Sequence, residues 1–351
     1  MLFIHIGDKV KLPKKYHRLN NLSAHIYDLI TEVFVRELYA PMKSTTIEFH
    51  DDKELAEEFL KAKSHALDAL KKGNRDQDLE IILTKHITMS MISDMVNFIY
   101  ESIDIAKKGK MSVAYSLLRK PFTDQLLLLE QLLVDRKTFI YDFFHIGDPK
   151  NYDPASRNID KENVIERAIE KLNTVNVFYS KLIYESRYVK SYKGGINWIT
   201  NQAIHIVTND KNYATERQNL NFIFSNPEDT ENYWNHFYSV VPYLLIYTSA
   251  IIDKIVFEFI DDVDDQKVRK DLKRFIAILM IFPESRSMFR LLGKVMKTQC
   301  SICNHSNVFG KKMFQLFFNE NILLCKKCYN PLNLTDEVLS NLKNLFLQRN
   351  Q

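Results

Sequence analysis

Apolar residues recur at helical spacing over most of the chain. After an extended start over residues 1–18, the first stripe opens near Asn20. It runs through His25, Leu29, Val33 and Leu38 and stops before Pro41. Asp51-Asp52 caps a second helix that carries Leu55, Phe59, Ala62, Ala66 and Leu70 and ends at Gly73-Asn74. From Leu79 to Lys108, the positions Ile81, Ile92, Val96, Ile99 and Ile103 draw a long stripe that Gly109 closes. Met111 to Val134 is helical in pattern but holds Pro121, which predicts a kink or break at Lys120. Lys161 to Tyr188 is amphipathic beyond a loop framed by Gly147-Asp148-Pro149 and Asp153-Pro154. Glu228 to Asp262 forms a long helix after Asn226-Pro227. Lys267 to Phe282 and Ser285 to Lys297 are basic helices.

One stretch departs from this pattern. Ser191 to Asn226 holds Gly194-Gly195, many asparagines and two β-prone runs, Ala203 to Thr208 and Leu220 to Phe224. Asparagine favours turns because its side chain hydrogen-bonds nearby backbone groups. An irregular insertion with a short hairpin, bordering a cleft, is expected there. His205, Asp210, Glu216 and Arg217 within it combine an imidazole, carboxylates and a guanidinium, the minimum set for acid–base work on a phosphodiester. In a β-prone run His205 is more often a satisfied core residue. Arg119, beside the Pro121 kink, is a further anion-binding candidate, against a buried pairing with a carboxylate across the bundle.

Composition agrees with a helical fold. Of 351 residues 46% are hydrophobic and 12% aromatic, enough for a sizeable core, while only 8 Gly and 9 Pro punctuate the chain. The apolar runs Val240–Ile252 and Phe275–Phe282 fall short of the roughly 20 residues of a bilayer span, and the N-terminus lacks a signal-peptide core. No membrane association and a cytoplasmic location are expected. The net charge of +4 is unevenly spread: residues 266–330 hold 13 Lys/Arg against Asp271, Glu284 and Glu320, while residues 1–265 are net acidic. Such segregation points to an anionic partner, with ordinary solvated helix faces as the plainer reading.

All 4 cysteines lie at Cys300-x2-Cys303 and Cys325-x2-Cys328. Two residues between thiolates let each pair hold one metal from a tight turn, and two pairs complete a tetrahedron. The pattern predicts a four-thiolate structural Zn²⁺ site in a reducing compartment, with no open position for substrate. Met313–Phe318 and Ile322–Leu324 flank Asn319-Glu320-Asn321, which predicts a β-hairpin joining the two knuckles. Lys311-Lys312 and Lys326-Lys327 place four cations near the metal, suited to a phosphate backbone.

Over residues 298–330 the arrangement resembles the zinc-ribbon class and its treble-clef relatives, which implies a small metal-stapled module. Asn304 follows the first pair, where many such knuckles use glycine. In the helical part, Arg18-x6-His25 fits the Arg–His spacing of HEPN-type bacterial proteins, helical bundles of which many are ribonucleases in toxin or phage-defence systems. Leu19 stands where that family usually has a polar residue, and chance supplies about one such match in a chain of this composition.

The sequence therefore predicts an all-α, multi-helix bundle with a C-terminal β-hairpin zinc ribbon. It divides into a helical body at 1–265 with its insertion at 191–226, basic helices at 266–297, the ribbon at 298–330 and a helix at 331–351. Association with nucleic acid through the basic module is the expected function. A HEPN-like ribonuclease, or an interaction scaffold or homodimer with a purely structural zinc, is the alternative.

Overall fold

The computed structural model describes residues 1–49, 53–61, 66–172, 177–261, 263–282 and 286–347. The chain is all-α apart from two very small antiparallel sheets. The helices are α1 (Lys14–Val35), α2 (Lys53–Lys61), α3 (Ala66–Lys72), α4 (Asp76–Lys107), α5 (Met111–Arg119), α6 (Leu126–Val134), α7 (Arg136–Ile140) and α8 (Lys161–Leu172). They continue as α9 (Ser180–Tyr188), α10 (Ile196–Ile204), α11 (Pro227–Val256), α12 (Asp264–Ile281), α13 (Arg286–Val295), α14 (Lys311–Glu320) and α15 (Asp336–Leu347). The sheets are β1 (Thr298–Gln299) with β2 (Ser306–Asn307), and β3 (Leu323–Leu324) with β4 (Pro331–Leu332).

Local chemistry sets the helix limits. Pro13, at φ −60°, precedes α1, so the helix starts at Lys14, before the apolar stripe begins. Asn226 and Asp229 close a reciprocal capping box at the start of α11, with Pro227 at its first position. Gly109, at φ +73°, ends the turn after α4, and a side chain there would crowd the Trp234 ring at 3.3 Å. The expected Asp51-Asp52 cap and Ala62 lie outside the described residues.

At Pro121 the regular helix is interrupted by a π-helical segment, Lys120–Gln125, between α5 and α6. A π segment leaves carbonyls without their usual partners, and distant side chains take them here. Arg187 Nε donates to the Phe122 carbonyl at 2.6 Å, and the Tyr188 hydroxyl donates to that of Thr123 at 2.7 Å. Arg187 also donates to Glu130 Oε1 at 2.5 Å, and both side chains are 0% exposed. Tyr247 also donates to the same carboxylate oxygen, at 2.7 Å.

The centre of the bundle is α11, whose residues from Val241 to Asp253 are all buried. Pro227–Phe259 is long and apolar enough to cross a membrane by length and composition, longer than the apolar runs seen in the sequence alone. The protein itself buries 89% of the most apolar window. It packs as a core helix against α1, α4, α6 and α12.

One apolar cluster runs continuously from Leu2 through α11 and α12 to Phe309, Phe314, Phe317, Phe318 and Phe346. A smaller one gathers Leu70, Leu79, Leu83, Leu132 and Phe139. The helices flanking the cysteines therefore share the core of the bundle. Gly293 lets α13 approach the module closely, since a Cβ there would meet the Phe309 carbonyl oxygen at 2.1 Å.

The expected Met313–Leu324 hairpin is absent. Residues Lys311–Glu320 form α14, and Asn321, at φ +58°, caps it in the left-handed conformation. Phe314, Phe317 and Phe318 are spaced at i, i+3 and i+4, so one helix face carries all three rings inward. The hairpins lie around the cysteines instead.

Candidate metal centre and its basic face

Each cysteine pair sits in the loop of its own hairpin of two-residue strands, and the two units repeat at a fixed offset. In the first, Cys300 N–H donates to the His305 carbonyl and Asn304 N–H to the Cys300 carbonyl, both at 2.9 Å. In the second, Cys325 N–H donates to the Asn330 carbonyl at 2.9 Å and Tyr329 N–H to the Cys325 carbonyl at 3.0 Å. Strands, cysteines and left-handed residues coincide pairwise: Thr298 with Leu323, Cys300 with Cys325, Cys303 with Cys328, Asn304 with Tyr329. Asn304 has φ +57° and Tyr329 φ +59°. Asparagine tolerates this conformation, whereas a tyrosine held in it costs about 1 kcal/mol.

The four sulfurs lie within 4.8 Å of one another, and Cys300–Cys328 and Cys303–Cys325 are each 3.6 Å apart. Metal–sulfur bonds of about 2.3 Å in a tetrahedron require sulfur–sulfur edges of about 3.8 Å, so the cluster fits one ion. Its electrostatics agree. At Cys325, burial opposes ionisation, but the N–H groups of Cys328 and Lys327 and the Asn307 amide outweigh it and bring the thiol down to about 6. At Cys303 the His305 N–H favours the thiolate, yet burial and the three neighbouring sulfurs push it up to about 12. Four thiols this close ionise together only around a cation. These cysteines can hold a metal ion, and with four protein ligands no coordination position stays open. Asn307 braces the site: its amide carbonyl accepts from Lys326 N–H at 2.8 Å, while its NH₂ lies 3.6 Å from Cys325 Sγ.

Among the 13 cations counted along the sequence, two groups stand out. Lys270 and Arg274, both buried, turn inward to Asp253. Lys270 Nζ is 2.8 Å from that carboxylate, and Arg274 also reaches Asp271 at 2.8 Å. Arg290, Lys294, Lys297, Lys311, Lys312, Lys326 and Lys327 are exposed. Among the described residues none of these seven forms an ion pair, and between residues 286 and 330 the one acid is Glu320. Lys326 Nζ donates to the Val308 carbonyl, and Lys311 lies 5.8 Å from the centre of the Phe289 ring.

The other candidate residues stand apart. Arg119 is exposed at the end of α5, and the buried arginine–carboxylate pair of that region is Arg187–Glu130. His205 and Arg217 are exposed, while Glu216 lines a cavity of about 470 Å³ with Trp198, Gln202 and Tyr233. The insertion supplies this cavity: after α10, residues 205–226 contain no helix or strand, and Asn221 bonds back to the backbone of residues 205 and 206. Phe222, at φ +60°, stacks on Tyr233 with ring centres 4.4 Å apart. The β-prone runs thus approach each other without forming the expected hairpin.

Arg18 and His25 share α1 but not a site. Arg18 donates to the Met280 carbonyl at 2.9 Å. His25 lies between Phe3 and Phe318, at 4.5 and 5.3 Å between ring centres. Burial, followed by the charge of Lys273, pushes its imidazole down to about 4. No family profile, curated protein or solved structure matches the chain.

Proposed function

We propose that this protein binds nucleic acid through its C-terminal module, that Zn²⁺ is the ion in the cysteine site, and that the ion is structural. The observation that carries the reading is the set of seven exposed cations between residues 290 and 327 that form no ion pair among the described residues. The start of α14 adds to it. Gly310 caps that helix without a side-chain bond, no acid occupies the first turn, and Lys311 and Lys312 stand at its positive end. Cations at a helix N-terminus repel the macrodipole, and a phosphate placed there relieves the repulsion while accepting the free N–H groups. Lys326 and Lys327 lie inside the second knuckle, and Lys326 Nζ donates to the Val308 carbonyl, just before the start of α14.

The role is binding rather than cleavage. A four-thiolate ion has no position for water, and an imidazole held neutral between two phenyl rings is a poor proton donor. A reducing compartment such as the cytoplasm suits thiolates kept for metal.

Salt dependence tests the reading. Binding to DNA or RNA should weaken with a slope of about −0.9 in log K against log salt per duplex phosphate neutralised, or about −0.7 on single strands. Replacing Lys311, Lys312, Lys326 and Lys327 by Gln should flatten that slope by about two to four units with metal retained. A wild-type protein that retains no polynucleotide at low ionic strength would leave the module as a protein-docking surface or a staple. Elemental analysis should find one zinc per chain, and a different metal would overturn the identity of the ion.

A further inference from the structure

We infer that Tyr329 is a base-stacking residue, so that the module takes unpaired rather than fully duplex nucleic acid. The inference rests on the nucleic-acid reading above and narrows its substrate class. It starts from the repeat. The two knuckles place the same left-handed residue after the second cysteine, and the first fills it with Asn304, a residue suited to that backbone. The second fills it with tyrosine, and the fold gives no return for the strain. Tyr329 is 74% exposed, the most exposed Phe, Tyr or Trp among the described residues. None of the described aromatic rings packs on it. Phe222 is the instructive contrast: its backbone is as unfavourable, but its ring is stacked on Tyr233. An outlier whose cost the fold does not repay is a reason to look for a ligand.

The neighbours indicate which ligand. Lys326 and Lys327 are exposed three and two residues before Tyr329, in the same turn. A nucleotide offers an anionic phosphate and a flat base a short distance apart, matching lysines beside an aromatic ring. In a duplex the base faces are stacked on each other and closed to an outside ring. Only a single strand, loop or end presents a free face. Stacking reads no hydrogen-bond pattern, so broad sequence tolerance is expected.

The test uses the full-length, metal-loaded protein with labelled single-stranded DNA and RNA and a duplex of the same sequence, over a range of salt. Tyr329→Asn installs the residue of the sister knuckle and relieves the backbone. It should weaken single-strand binding roughly tenfold. Duplex affinity, metal content and the salt slope should stay unchanged, because no charge is removed. Tyr329→Phe keeps the ring and should bind as wild type. The inference falls if Tyr329→Asn binds single strands like wild type, weakens both forms equally or loses metal, or if Tyr329→Phe is as impaired as Tyr329→Asn. Absence of any polynucleotide binding by the wild type would instead remove the nucleic-acid reading itself, so the two failures are distinct.

Discussion

The helical body and the metal module treat the same residue types in opposite ways. In the body, Arg187, Lys270 and Arg274 are withdrawn from water and matched to Glu130, Asp253 and Asp271. In the module, Lys311, Lys312, Lys326 and Lys327 stay in water without a carboxylate partner among the described residues. A buried pair is costly to break because the surviving charge is left unsolvated, and it gives the core a single way to pack. An exposed, unpaired cation adds little to folding and keeps its field for a partner. Net charge by segment therefore overstates what residues 266–330 can offer an anion, since two of their cations belong to the core.

The comparison has a second side, in what holds each region together. The body is closed by apolar layers on α11, whereas each hairpin of the module has only two-residue strands, and on the proposed reading an ion in the cysteine site supports them. Removing that support should have the largest effect. Structural zinc contributes on the order of 10 kcal/mol or more to the segment it folds. Chelation or Cys303→Ser should release the metal and unfold the module while most helical signal persists. Hydrogen exchange should localise the loss to residues 298–332 and the facing side of α12, which α14 covers. A cooperative loss of all helicity would show that the module is a nucleus of the entire fold, and the division into two regions would fail.

Next in size are the buried pairs. Arg187→Met should destabilise by about 3–5 kcal/mol, because Glu130 is left fully buried without its cation and the Phe122 carbonyl loses its donor. Lys270→Met should cost less, since Arg274 still holds Asp253. Urea denaturation distinguishes them. Equal, small effects would mean that these charges reach solvent after all.

How much of this was legible in sequence depends on the range of the interaction. Stops and starts encoded within a few residues, such as Gly109 after α4, Asn226-Pro227 before α11 and the Cys-x2-Cys pairs, appear where local chemistry puts them. The disturbance at Pro121 was visible, but its form was not, because the donors that satisfy the π segment come from Arg187 and Tyr188, far along the chain. Phe314, Phe317 and Phe318 already had helical spacing. The turn-like Asn319-Glu320-Asn321 triplet suggested a hairpin, whereas Asn321 is the left-handed cap of a helix. The knuckle repeat leaves little trace in the apolar pattern because two-residue strands have no periodicity, and its signal lies in cysteine spacing and backbone geometry. Whether a lysine is buried or free depends on packing that composition does not encode.

His25 gives a smaller, pH-dependent test at the junction of the two regions. Its folded value of about 4 lies below the ordinary 6.5, because burial between Phe3 and Phe318 and the nearby Lys273 disfavour the cation. The folded state then binds fewer protons than the unfolded chain. Its contribution is fully present above pH 6.5 and is lost as pH falls toward 4. The urea midpoint should drop between pH 7 and pH 5, and His25→Leu should remove part of that drop. An unchanged pH profile in the variant would place the imidazole in solvent, detached from the module helix.

The smallest expected effect is the most discriminating one for the comparison. Converting Lys311, Lys312, Lys326 and Lys327 together to Gln should change folding stability by at most about 1 kcal/mol, through the Lys311–Phe289 contact and the Lys326 bond to Val308. Loss of two lysines from the positive end of α14 should offset part of even that cost. Four charges removed at almost no cost, beside one buried arginine whose removal costs several kcal/mol, would establish that the module's cations are not there to fold it. A large loss would mean instead that they act as partners within the module, and the surplus on which the binding reading depends would disappear. Denaturation of the variant with metal content measured alongside decides between these outcomes without any nucleic acid, independently of the binding experiment.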